Sequence, residues 1–251
     1  MVQDGYDHIL KLVTPDEEQY ATFFHAFDLA DAKEFDQLVD HLRTHGTKFY
    51  VEDERLLEHV VVGGIGAIEA IDFLVEAGAS KRDVMVYAAA RGHVELLQVL
   101  YERGWHIVDG LDWCRLLFHA TKSCCTATNA LKLMRWVLDW VLDDDDEKHH
   151  CNGDEEHYFG MVFNNTLQNE YIDAAAFLLD NHTAFGLPDW SPDKEEEIQN
   201  AANEGSTKSL DFLCQRWGEE FVTSTVRQAL RVDFEPYHED DIKKWLNKRT
   251  R

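Results

Sequence analysis

Positive charge is what this chain has least of. Its 251 residues carry 24 Lys and Arg against 48 Asp and Glu, a formal net charge of −24. Nucleic-acid binding draws most of its affinity from Lys and Arg neutralising phosphates, and anionic membrane surfaces attract basic segments for the same reason. Only the last nine residues are clearly basic, so neither nucleic acid nor membrane is expected as a partner. The acidity either keeps the protein soluble or selects a basic protein or cationic ligand; composition leaves both open. Long apolar runs are also missing, and none approaches the ~18 residues of a membrane span. The opening Met1-Val2-Gln3-Asp4-Gly5-Tyr6-Asp7 lacks the basic start and apolar stretch of a signal peptide. Cys114, Cys124, Cys125, Cys151 and Cys214 are odd in number and without framework spacing. They read as free thiols in a reducing compartment, the cytosol with the nucleus as alternative.

Catalytic signatures are absent as well. No Gly-x-Ser-x-Gly, His-Glu-x-x-His or kinase pattern occurs, and Gly63-Gly64-Ile65-Gly66 lacks the Lys-Ser/Thr of a phosphate loop. The segment 143–157 holds carboxylates, His149, His150, His157 and Cys151. Adjacent His149-His150-Cys151 cannot easily all point at one ion, and the paired spacing of zinc sites and the alternating oxygens of a calcium loop are missing. The segment reads as an acidic inserted loop, about 143–156. His41 and His45 stand at ligand spacing without a third ligand, near the end of a helix whose dipole favours imidazolium. Cys124-Cys125 has only Lys122 as a basic neighbour and reads as packing. No catalytic residue, cofactor or metal is assigned.

What the chain has is apolar material, 45% with 12% aromatic, enough for an extensive core. Residues 84–105 describe a short helix ending in Ala88-Ala89-Ala90-Arg91, a Gly92 turn, and a second helix carrying Val94, Leu97 and Leu100 before Gly104. Related stretches recur. Gly66 to Leu74 repeats the second helix with Gly78 closing it, and Ala201-Ala202-Asn203-Glu204-Gly205 repeats the first-helix ending. The last apolar anchors of the second helices are Leu42, Leu74, Leu100, Val137, Leu178, Leu213 and Leu246, on average 34 residues apart. Thr14-Pro15-Asp16-Glu17 and Ser191-Pro192-Asp193 are helix starts. A pair of this size cannot bury its apolar face alone, so stacking is obligatory.

The segment filled by Ala88, Ala89, Gly92, His93, Glu95, Leu96, Leu97, Val99, Leu100 and Gly104 resembles the ankyrin repeat. Its period of about 33 residues fits, though the tetratricopeptide period is equally close. The Thr-Pro-Leu-His motif that opens the usual first helix is absent from every copy, so the joints between repeats must be made differently. The resemblance implies an all-α solenoid of about six to seven helix pairs over residues 1–251, capped by a helix at 239–251. It further implies protein–protein recognition through a concave face. Contacts would come from the turns between repeats (Phe49, Tyr50, Lys81, Arg82, Trp105, His106) and the first-helix ends (Arg91, Gln168, Asn169, Asn203, Glu204). Trp190 joins them as a tryptophan at a turn, a hot spot if exposed or a joint plug if not. Trp113 has the same two readings, whereas Trp136, Trp217 and Trp245 fall on core stripes. The rival reading is an enzyme on the same scaffold, with an acidic pocket for a small cationic substrate.

Overall fold

A computed structural model describes residues 17–52, 55–105, 113–122, 125–143, 155–232 and 239–249. Every regular element among them is helical. The chain divides into two compact units, residues 1–88 with 98–105, and 89–97 with 106–251.

The first unit begins with α1 (Glu17–Asp31), α2 (Phe35–His45), the short α3 (Lys48–Glu52), α4 (Arg55–Val61), a 3-10 turn (Gly64–Ala67) and α5 (Ile68–Glu76). Helix α1 packs on α2 and α4, while α5 packs on α2 and α4. First helices therefore lie beside first helices and second beside second. The sequence reason is a narrow apolar stripe on each element: Leu38, Val39 and Leu42; Leu56, Leu57, Val60 and Val61; Ala70, Ile71 and Leu74. Residues at these spacings share one helix face. Burying each large aliphatic side chain contributes about 1.5–3 kcal/mol. Helices α6 (Lys81–Arg91) and α7 (Val94–Glu102) contribute residues to both units.

The second unit continues with α8 (Trp113–Ala120), α9 (Ala127–Asp143), α10 (Glu155–Gln168), α11 (Ile172–Asn181), α12 (Lys194–Asn203), α13 (Thr207–Trp217), α14 (Glu219–Val232) and α15 (Glu239–Arg249). The same ladder recurs: α8, α10, α12 and α14 form one row, and α9, α11, α13 and α15 the other. All seven apolar anchors read from the sequence, Leu42 through Leu246, are buried.

The helix pairs close with one recurring turn. Lys33, Gly92, Glu170 and Gly205 each take a left-handed conformation, with φ of 61, 69, 55 and 70°. The amide that follows three of them reaches back to a carbonyl near the end of the preceding helix: Glu34 to Leu29 O, Tyr171 to Thr166 O and Ser206 to Ala201 O, at 2.8–2.9 Å. These are Schellman closures. Gly66, matched to Gly92 by sequence, does not play this part. Gly64 takes the positive φ of 60° there, and Gly66 lies inside the extra 3-10 turn that shifts the register. At Gly92 the requirement is double, because a Cβ would also sit 2.6 Å from Asn129 Cβ and 2.7 Å from Cys125 Sγ.

Candidate functional site

The candidate contact residues divide into those exposed and those consumed by packing. Lys81, Gln168, Asn203 and Glu204 are exposed, and Arg82 and Arg91 are half-buried. Arg82 Nε is buried without a hydrogen-bond partner among the described residues. Phe49 falls within α3, but its side chain and the whole of His106 lie outside the described residues, as does the acidic stretch 144–154.

Trp105, Trp190 and Tyr50 correct the expectation of exposed aromatic anchors. Trp105 is 6% exposed and Trp190 7%, so neither offers a free face to a partner. Trp190 packs edge-on against Phe159 at 4.7 Å and Phe163 at 5.7 Å, and beside His182 at 5.8 Å. Trp113, also buried, stacks on Phe185 at 5.2 Å, which in turn meets Phe159 at 5.4 Å. These rings pack against one another inside the second unit and bury large apolar area there. Tyr50 stacks on Phe23 at 5.3 Å and donates its hydroxyl to Thr22 O, and burial pushes its pKa up to about 12. Lys81 lies with Nζ 5.3 Å from the Trp105 ring, a cation–π contact. Of the expected core tryptophans, Trp245 is buried while Trp136 and Trp217 are half-buried.

Asn169 is likewise structural. Its Nδ2 donates to the carbonyl of Thr121 at 2.9 Å, and Asn165 Nδ2 donates to Thr121 Oγ1 at 3.3 Å. The hydroxyl of Tyr171 reaches Cys125 O. One pair further on, Ser206 Oγ donates to Gln168 O at 3.1 Å, Ser209 Oγ to Leu167 O at 2.5 Å, and Lys208 pairs with Glu170 at 2.7 Å. Side-chain-to-carbonyl bonds at the turns thus join successive helix pairs. Thr121, Asn165, Tyr171, Ser206 and Ser209 did not emerge from sequence. The available signal was polar residues at equivalent turn positions, such as Asn165 and Asn200.

Two open surface grooves have charged walls. Between α2 and α5 lies one of about 440 Å³, walled by Asp36, Asp40, Glu69, Asp72 and Glu76 around the half-buried Phe73. Arg43 holds Asp40 at 3.2 Å with its guanidinium 5.5 Å from the Phe73 ring, and Arg103 holds both oxygens of Asp72 at 2.8 Å. Asp36, Glu69 and Glu76 have no ion-pair partner among the described residues. The other groove, about 570 Å³ between α13 and α15, carries mixed charge. On its flank Arg249 bonds Asp211 at 2.6 Å and Glu219 at 3.0 Å while lying over the Trp245 ring.

His25 of α1 lies edge-on to His41 at 5.1 Å, and His41 tilts against His45 at 4.4 Å. His41 Nε2 bonds Thr22 O at 2.9 Å and His45 Nδ1 bonds His41 O at 3.0 Å, so two ring nitrogens are already committed. Among the described residues no group of three or more His, Cys, Asp or Glu is placed to hold a metal ion. No described helix is long and apolar enough to cross a membrane. Compared with known protein families, with curated proteins and with solved structures, the chain matches none.

Proposed function

We propose that this chain is a solenoid of ankyrin-like helix pairs that recognises a protein or peptide partner through a basic segment. The ladder of helix pairs and the recurring left-handed turns support the repeat reading. The observation that carries the choice of partner is the α2–α5 groove, where Asp36, Glu69 and Glu76 stand around Phe73 without an ion pair among the described residues. A Lys or Arg entering it meets carboxylates beside an aromatic ring that Arg43 already approaches at 5.5 Å. An exposed ion pair contributes about 0.2–1 kcal/mol and a cation–π contact about 0.5–2 kcal/mol. Micromolar binding requires about 8 kcal/mol, so the groove selects the partner's charge and further contacts must supply affinity. The buried thiols Cys114, Cys125 and Cys214 suit a reducing compartment, the cytosol or the nucleus.

The test begins with affinity capture by the full chain and mass spectrometry. Affinity for the captured partner is then titrated at ~50 and ~500 mM salt, with the Debye length falling from roughly 14 to 4 Å. The expected result is at least tenfold weaker binding at high salt, and a similar loss in the double variant Glu69→Lys, Glu76→Lys. Binding indifferent to both would remove the electrostatic reading.

A further inference from the structure

Helix α12 starts acidic: Asp193 caps it, and Glu195, Glu196 and Glu197 follow in its first turn. The Asp193 carboxylate accepts the amides of Glu195 and Glu196 at 3.1 Å, and those three side chains face solvent. Glu197 is different. It is 7% exposed, and its Oε2 is buried with no hydrogen-bond partner among the described residues. The two Schellman closures set the register: Ala201 O in α12 corresponds to Thr166 O in α10. Four residues before each stand Glu197 and Val162, and Val162 is fully buried. The chain thus puts a carboxyl where the neighbouring pair puts a valine. Ionising the carboxyl leaves charge on an Oε2 that has neither water nor a donor among the described residues, which is far more costly than burying the neutral acid.

We propose that α12 is seated in its row by a neutral Glu197, so that the packing of this helix against α10, α13 and α14 is linked to one proton. Burial pushes the carboxyl up to about 8, and the neighbouring charges of Glu196 and Asp193 add to it. The packed elements carry other charged groups: Glu155, Glu156 and His157 on α10, and Lys208, Asp211 and Arg216 on α13. Helix α14 adds Glu219, Glu220, Arg227 and Arg231. None of these bonds Oε2, and the charges acting on Glu197 are those of Asp193 and Glu196. When α12 opens, the carboxyl returns to its ordinary value of 4.5. The open form then binds fewer protons than the seated one between pH 4.5 and about 8. Stability is therefore full below that window, falls as pH rises through it, and levels off above.

Hydrogen exchange of the full chain, followed by mass spectrometry on peptides covering α12, reads this opening directly. The quantity is the ratio of protection factors, Glu197→Gln over wild type, from pH 5 to 8.5. The ratio should grow about tenfold per pH unit and flatten above pH 8, after two to three orders of magnitude. Glu197→Val, which copies Val162, should give the same rise, and the exposed Glu196→Gln should keep most of the wild-type slope. A ratio constant across the range overturns the proposal. So does a Glu196→Gln variant that abolishes the slope.

Discussion

Replacing Gly92 by alanine adds one methyl group at a point where neither the backbone nor the space allows it. The residue sits at φ 69°, and a left-handed conformation costs a residue with a Cβ about 1–2 kcal/mol. Part of that, about 0.4–1 kcal/mol, is returned by the lower entropy of the unfolded chain. The methyl would then lie 2.6 Å from Asn129 Cβ and 2.7 Å from Cys125 Sγ. Asn129 Cβ cannot swing aside because it is fixed to the backbone of α9, so the start of that helix must move. Overpacking of this kind costs about 1–3 kcal/mol. The expected total is about 1–4.5 kcal/mol. Gly186→Ala separates the two contributions, since Gly186 has a similar φ of 81° but nothing within 4 Å of the place its methyl group would take. It should cost about 0–1.5 kcal/mol. Urea unfolding followed by tryptophan fluorescence and far-ultraviolet circular dichroism compares the two, with matching slopes required for the comparison to hold. If Gly92→Ala costs no more than Gly186→Ala, the close approach to α9 is wrong.

Two further outcomes follow from the joints and the histidines. Asn169→Ala should destabilise by about 1–3 kcal/mol, because it strands the carbonyl of the buried Thr121, whereas the exposed neighbour Gln168→Ala should stay within about 0.5 kcal/mol. Equal midpoints in urea would show that the joint does not depend on this bond. Burial first, then His45 and His25, lowers the His41 pKa below 6.5, against an opposing effect from its bond to Thr22. The unfolded chain therefore binds the proton more readily, and stability is present above pH 6.5 and lost as pH falls below it. His41→Gln should lose less melting temperature than wild type between pH 7.5 and 5.5; an identical loss would remove His41 from the acid response.

The helical class, the pairing of helices and the anchors from Leu42 to Leu246 were legible in the sequence. The spacing of apolar residues sets which face of a helix is buried, and that follows from local geometry alone. The left-handed turns at Gly92 and Gly205 were legible for the same local reason. Those at Lys33 and Glu170 were not, since non-glycine residues carry them, and the extra 3-10 turn moved the one at Gly66 to Gly64.

The candidate contact surface was read less well. Tyr50, Trp105 and Trp190 have the composition of binding anchors, yet each is covered by a neighbouring element. A side chain's direction around its own helix is a local property, but whether something lies over it depends on the next element. By itself the sequence determined that this chain forms helix pairs with one apolar stripe each and carries an acidic surface. Only tertiary structure decided that its turn tryptophans are buried, that Asn and Ser side chains join successive turns, and that Glu197 faces inward. Each of these depends on contacts between helices far apart along the chain, as between Asn169 and Thr121 or Trp190 and Phe159, which no local pattern encodes.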